Sequence, residues 1–188
     1  GTSTAPLVQS RRSRLEKAPW RSVPSLRGQV EAEFLYPLYL GESIAPFRVL
    51  DEALAVIPVH PSELRLLTAN DAQAEGYVHL WSWLSAVEQV WAEKSNSDLT
   101  FYENLDYWGK LLSQFPIAPI RVVYAGSGTL PAAAIVTNPR AVIEHSLYWY
   151  PAQDEEEALY LTAVLNSDAL RRNIERYQAR GQWGARHF

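Results

Sequence analysis

The sequence predicts an α+β (mixed α/β) fold: an antiparallel or mixed β-sheet flanked by helices, behind an extended N-terminal arm. Two observations predict it. The stretch Arg121 to Tyr150 holds three apolar runs separated by the turn signals Gly126-Ser127-Gly128 and Asn138-Pro139. The runs are Val122 to Tyr124, the Ala-rich Ala132 to Val136, and Val142 to Tyr150; in the last, Ile143, Leu147 and Trp149 alternate with Glu144, Ser146 and Tyr148. Period two, β-branched and aromatic content, and Gly or Asn-Pro punctuation describe antiparallel strands. The second observation is helical spacing: Leu80, Leu84, Val87 and Trp91 recur at +4, +3 and +4, with Tyr77 one turn earlier. One apolar stripe follows, on a helix from about Tyr77 to Glu93.

The other elements follow in chain order. Residues 1–28 mix Ser, Pro and Arg without a period and read as a basic arm or linker, either solvated or partner-binding; residues 29–188 read as the domain. Val30, Phe34, Leu35 and Leu38 fit a short helical face that Pro37 limits. Ala53 to Val59 reads as a buried strand, and Asn70 or Asp71 as a helix cap. Leu105, Trp108, Leu111, Leu112 and Phe115 make a shorter amphipathic segment closed by Pro116. Asp154 followed by Glu155, Glu156 and Glu157 is an acidic helix start, with Leu159, Leu161, Thr162 and Leu165 on its inner side. Ser167 or Asp168 restarts a helix, and Arg172, Arg176 and Arg180 line up at i, i+4 and i+8 until Gly181 stops it.

Composition bounds the function. The chain has 188 residues, 47% of them hydrophobic, enough for one domain with an appended arm. It has neither Cys nor Met, so disulfides and thiolate metal sites are excluded, and a piece of a longer, cytoplasmic polypeptide is expected. No apolar run approaches the ~20 residues of a membrane helix, so no membrane partner is expected. The net charge of -4 is uneven. Arg11, Arg12, Arg14, Lys17, Arg21 and Arg27 face only Glu16 near the start, and five Arg against two acids follow Val164, while the middle is acidic. Basic ends pose the question of an acidic partner.

The chemistry is sparse. His60, His79, His145 and His187 have no metal-ligand spacing, Gly126-Ser127-Gly128 is neither a Walker loop nor GxGxxG, and no GxSxG elbow is present. No catalytic constellation, no metal site and no cofactor site are expected in this chain. The glycine turn is either a tight turn or a place where backbone approaches a ligand closely. The arginine stripe is either a solvated face or a phosphate tracker.

Several pieces in order resemble one family. Leu38 to Ile44, LYLGESI, is similar to the LLxGxDI element that opens the target-recognition region of large N6-adenine DNA methyltransferases, those of type IIG and related restriction-modification systems. Asp106 to Gln114, DYWGKLLSQ, with Arg121 to Thr129, RVVYAGSGT, resembles the next block. Glu155 to Ser167, EEEALYLTAVLNS, and Tyr177 to Phe188, YQARGQWGARHF, resemble its later helix and its closing RGxxGPRHI segment. Leu40 stands where a basic residue is common, and Ala185 where the family has Pro. The resemblance implies a module that reads duplex DNA and positions a target adenine for a separate catalytic domain of the same polypeptide, which binds S-adenosylmethionine. The family's catalytic [DNS]PP[YFW] motif, its cofactor motif and a nuclease pattern are absent, so this piece is expected neither to methylate nor to cut. Arg172, Arg176, Arg180 and Arg186 are the expected phosphate contacts, and Arg48, Lys110, Ser127 and Thr129 the expected base-reading or close-approach residues. The rival expectation is a protein-interaction module that uses the acidic, aromatic middle against a partner subunit. A hydrolase would need a cleft with paired carboxylates.

Overall fold

The structure is a computed structural model that describes residues 4–13, 16–128, 131–175 and 186–187. The fold is α+β, with several small antiparallel and mixed sheets where the sequence suggested one. In chain order the elements are β1 (Leu7–Gln9), β2 (Arg27–Gln29), β3 (Leu35–Tyr39), β4 (Ile44–Ala45), β5 (Arg48–Val49), β6 (Ala53–Val56), α1 (Ala69–Ala74), α2 (Val78–Lys94) and α3 (Phe101–Leu105), followed by β7 (Arg121–Ala125), β8 (Ser127–Gly128), β9 (Ala133–Val136), β10 (Val142–Ile143), β11 (Leu147–Pro151), α4 (Glu155–Leu165), α5 (Asp168–Glu175) and β12 (Arg186–His187). They group into two compact units, Gly1–Leu35 with Val56–Ser113, and Tyr36–Ala55 with Gln114–Phe188.

The first unit is built on α2. Its stripe lies as the spacing predicts, with Leu80 and Leu84 buried against Val30, Phe34, Leu67, Ala69 and Ala72. The first 28 residues, expected as an extended arm, contribute structure to this unit. β1 pairs antiparallel with β2, Leu7 opposite Gln29, and Trp20 lies 5.6 Å from Trp91 of α2, centroid to centroid. The cap of α1 lies two or three residues before the expected Asn70 or Asp71. Thr68 is its cap, its side chain accepting from Asp71 N–H while the Asp71 carboxylate accepts from Thr68 N–H. This reciprocal box satisfies two donors at once.

Two expected helical stretches are otherwise. Only Ala32–Phe34 turns, as a short 3-10 segment, and Leu35–Tyr39 is strand. Pro37 carries no N–H, and the parallel ladder to β10 begins just beyond it, with Leu38 opposite Val142. The amphipathic segment from Leu105 to Phe115 breaks at Trp108 and Gly109, whose φ values are 57° and 70°. Trp108 is 81% exposed, outside the apolar face that spacing assigned to it.

The second unit carries the sheet β11-β7-β9, antiparallel throughout. Tyr148 stands opposite Tyr124, and Val122 opposite Ile135. Val123, Ala134, Val136 and Leu147 face one buried cluster with Tyr39, Ile44, Ala141 and Ile143; Val122 faces another, with Ala152 and Ala158. α4 covers the latter through Ala158, Leu161, Thr162 and Leu165, positions three and four apart. Leu159, expected inside, lies about a hundred degrees off that stripe and is exposed. Asp154 caps α4, accepting from Glu157 N–H at 2.8 Å.

Candidate nucleic-acid interface

In the second unit, the backbones of two residues expected to touch nucleic acid, Ser127 and Arg186, belong to one ladder. β7 runs out through Gly126 into β8, and β8 pairs antiparallel with β12, Gly128 opposite Arg186 and Ser127 opposite His187. β12 is therefore paired with the strand that holds Ser127 and Gly128 of the glycine turn. The side chains of Ser127 and Arg186 lie outside the described residues, as do Thr129, Arg176 and Arg180.

Beside this ladder lies an aromatic surface. Tyr124 and Tyr148, opposite each other on β7 and β11, stack with centroids 5.5 Å apart and planes 23° apart. Tyr148 is 55% exposed, and Tyr150, two residues along the same face, is also exposed. The Tyr150 hydroxyl donates to Glu157, whose charge raises the tyrosine's pKa above its ordinary range. Gly126 is what lets the stack form. A Cβ there would lie 2.9 Å from Tyr148 Cδ2 and nearer still to Cε2, so the ring packs where any side chain would stand.

The free edge of β9 is closed at Ala133. Its N–H donates to Asn166 Oδ1 at 3.0 Å, and its carbonyl accepts from Asn166 Nδ2 and from Phe47 N–H, each at 2.9 Å. This one residue ties the tip of the β4-β5 hairpin to the end of α4. Phe47 sits in that tip at φ 61° and is exposed, and Arg48 follows it, exposed on β5. Beyond Asn166, the hydroxyl of Ser167 accepts from Leu170 N–H and opens α5, which presents Arg172 to solvent while Arg171 pairs with Asp168 at 3.0 Å. Among the described residues, neither Arg48 nor Arg172 has an ion-pair partner. Asn166→Ala is expected to cost about 2 kcal/mol, because Ala133 would lose a partner at both its N–H and its C=O. Urea unfolding measures it, and a change within experimental error would mean that water replaces the amide.

Arg121 does not join this surface. It is fully buried, with Nη2 donating to Ala141 O at 2.7 Å and more distantly to Asn138 O. Burial holds its pKa down to about 10, against a smaller upward pull from Tyr39. Its role is to tie the Asn138–Ala141 turn to the start of β7. Lys110 belongs to the first unit, where its ammonium lies over the Trp108 ring, 5.9 Å from the centroid.

Sequence spacing missed the tyrosine pair, although the alternation that set Tyr148 opposite in phase to Trp149 already put it on the outer face. Among the described residues, no three His, Asp or Glu side chains come together as a metal would need, and no helix is long and apolar enough to cross a membrane. The chain matches no protein-family model and no curated protein.

Proposed function

We propose that the second unit docks on duplex DNA and serves as the sequence-reading part of an N6-adenine DNA methyltransferase or restriction-modification enzyme. The observation that carries the reading is the β8-β12 ladder. Two segments far apart in sequence, each similar to a separate element of that family's recognition region, share one hydrogen-bonded edge beside an exposed aromatic stack.

The division of labour follows from chemistry. Exposed guanidiniums without carboxylate partners among the described residues, Arg48 and Arg172, are suited to neutralising phosphates and fixing register. Arg176, Arg180 and Arg186 would extend that contact. The glycine turn brings the hydroxyl residues Ser127 and Thr129, whose chemistry suits hydrogen bonds to base edges. Tyr124 and Tyr148 offer a flat apolar contact to thymine methyls, sugars or a base drawn out of the stack. Catalysis belongs to a separate S-adenosylmethionine-dependent domain of the same polypeptide, and this chain alone neither methylates nor cuts.

The test is the salt dependence of binding to duplex DNA, read by fluorescence anisotropy. Arg48→Ala and Arg172→Ala should each weaken binding evenly across sequences and lower the slope of log affinity against log salt by about 1. Ser127→Ala, and Lys110→Ala as the comparison from the first unit, should instead change which sequence the complete methyltransferase modifies, if they read bases; each lost base contact is worth ~1–3 kcal/mol at one position. Slopes that stay at the parent value in both arginine variants would remove the reading.

A further inference from the structure

The first unit carries a groove whose lining residues the DNA reading does not use. A groove of about 530 Å³ is lined by Leu66, Leu99, Tyr102, Glu103, Asp106, Tyr107 and Trp108. Tyr107 and Trp108 stack at 5.0 Å with planes 18° apart, and both are exposed. The turn is built to present them. Trp108 and Gly109 take left-handed backbone, and Asp106 Oδ1 accepts from the N–H groups of Leu111 and Leu112, each at 2.9 Å, bracing the chain around the exposed ring. Tyr102 is fixed from behind, since its hydroxyl donates to Glu88 and accepts from Ala69 N–H at 2.8 Å.

Charge decides what such a groove takes. Aromatic surfaces receive either nucleobases or organic cations. A nucleotide brings phosphate, and the lining side chains offer it the carboxylates of Glu103 and Asp106, while the neighbouring Lys110 ammonium is drawn over the Trp108 ring. The same lining suits a positive guest, because ring faces and carboxylates attract it together. The chain already shows the preference once, in Lys110, whose ammonium lies over Trp108. We propose that this groove is a binding site for an organic cation, an alkylammonium or guanidinium group held against Trp108 and Tyr107 with Glu103 and Asp106 at its rim.

The site is tested on the whole chain by NMR, following the Trp108 indole N–H, assigned by its loss in Trp108→Phe. Tetramethylammonium chloride should move this resonance saturably, while tert-butanol, a neutral probe of similar size, and sodium chloride at equal ionic strength should not. Trp108→Leu, at an exposed position, should abolish saturable binding, read on the backbone N–H groups of Tyr102 and Asp106. Glu103→Gln, which retains a side-chain oxygen to cap Thr100, should weaken it at least about threefold. A glycine-flanked trimethyllysine peptide distinguishes the source. Binding much tighter than that of tetramethylammonium assigns the site to a basic partner segment, and equal affinity assigns it to a free small cation. Equal shifts with tert-butanol, or tighter binding of deoxyadenosine monophosphate than of tetramethylammonium, would overturn the proposal. DNA affinity is read in separate titrations, so failure here leaves the second unit's reading as it stands.

Discussion

Gln114→Glu is expected to destabilise the protein by about 3 kcal/mol near neutral pH and by much less in mild acid. Gln114 is 5% exposed, and its side chain behaves as one residue of a missing strand. Its Nε2 donates to Ile143 O at 2.9 Å, and its Oε1 accepts from Ile143 N–H at 2.8 Å. β10 thus has β3 on one edge and a side-chain amide on the other. An ionised carboxylate keeps the acceptor but sets a second oxygen against the Ile143 carbonyl, and it must be desolvated. A protonated carboxyl can still offer Ile143 one donor and one acceptor, as the amide does. The sign follows. Folding favours the protonated form, so the new group's folded pKa is raised above the ordinary value of about 4.3. Relative to the parent, stability is retained below that value and lost as pH rises through the folded pKa. Urea unfolding of parent and variant at about pH 5 and about pH 7 measures the difference. A penalty that is the same at both values would mean that the carboxylate turns out to water.

Gln114 also shows where sequence reasoning stops. Signals that act within a few residues were legible. The apolar runs located β7 and β9, while the run Val142 to Tyr150, expected as one strand, divides into β10, parallel to β3, and β11, in separate sheets; the spacing of Leu80 and Leu84 located α2 to within a residue at each end. Glu155 to Glu157 marked the start of α4. Signals that depend on a distant partner were not legible. Nothing near Pro37 says that a parallel neighbour waits just beyond it, and nothing near Trp108 says that its backbone turns left-handed and carries the ring outward. The candidate interface divides the same way. Arg48 and Arg172 could be picked out as cations, and Gly126-Ser127-Gly128 as a turn, because charge and glycine are local properties. The Tyr124–Tyr148 stack could not, because it needs the strand register, and the reason for Gly126 lies on another strand. Ala133, which fastens hairpin, sheet and helix, has no side-chain chemistry to notice.

The same dependence on a distant group governs the second large effect, Glu31→Ala, expected to cost about 3 kcal/mol. α2 starts at Val78 with Tyr77 before it; Tyr77 makes no side-chain cap, and the first turn contains no acidic residue. Its unpaired N–H groups are met from elsewhere in the chain. Glu31, 6% exposed, accepts from His79 N–H at 2.9 Å and from Leu80 N–H at 2.8 Å. Two charge-assisted bonds at the positive end of a seventeen-residue helix do the work of a cap, and the helix field stabilises a carboxylate that burial alone would disfavour. Alanine leaves two donors unpaired beside Leu80, which is fully buried. Glu31→Gln keeps one oxygen as acceptor and should lose about half as much. Hydrogen exchange locates the effect. The amides of His79 and Leu80 should lose protection first in the alanine variant, ahead of the middle of α2. Protection that survives at those two positions while global stability falls would show that Glu31 acts through packing against Phe34 and Val30, and that the helix start is satisfied by another group.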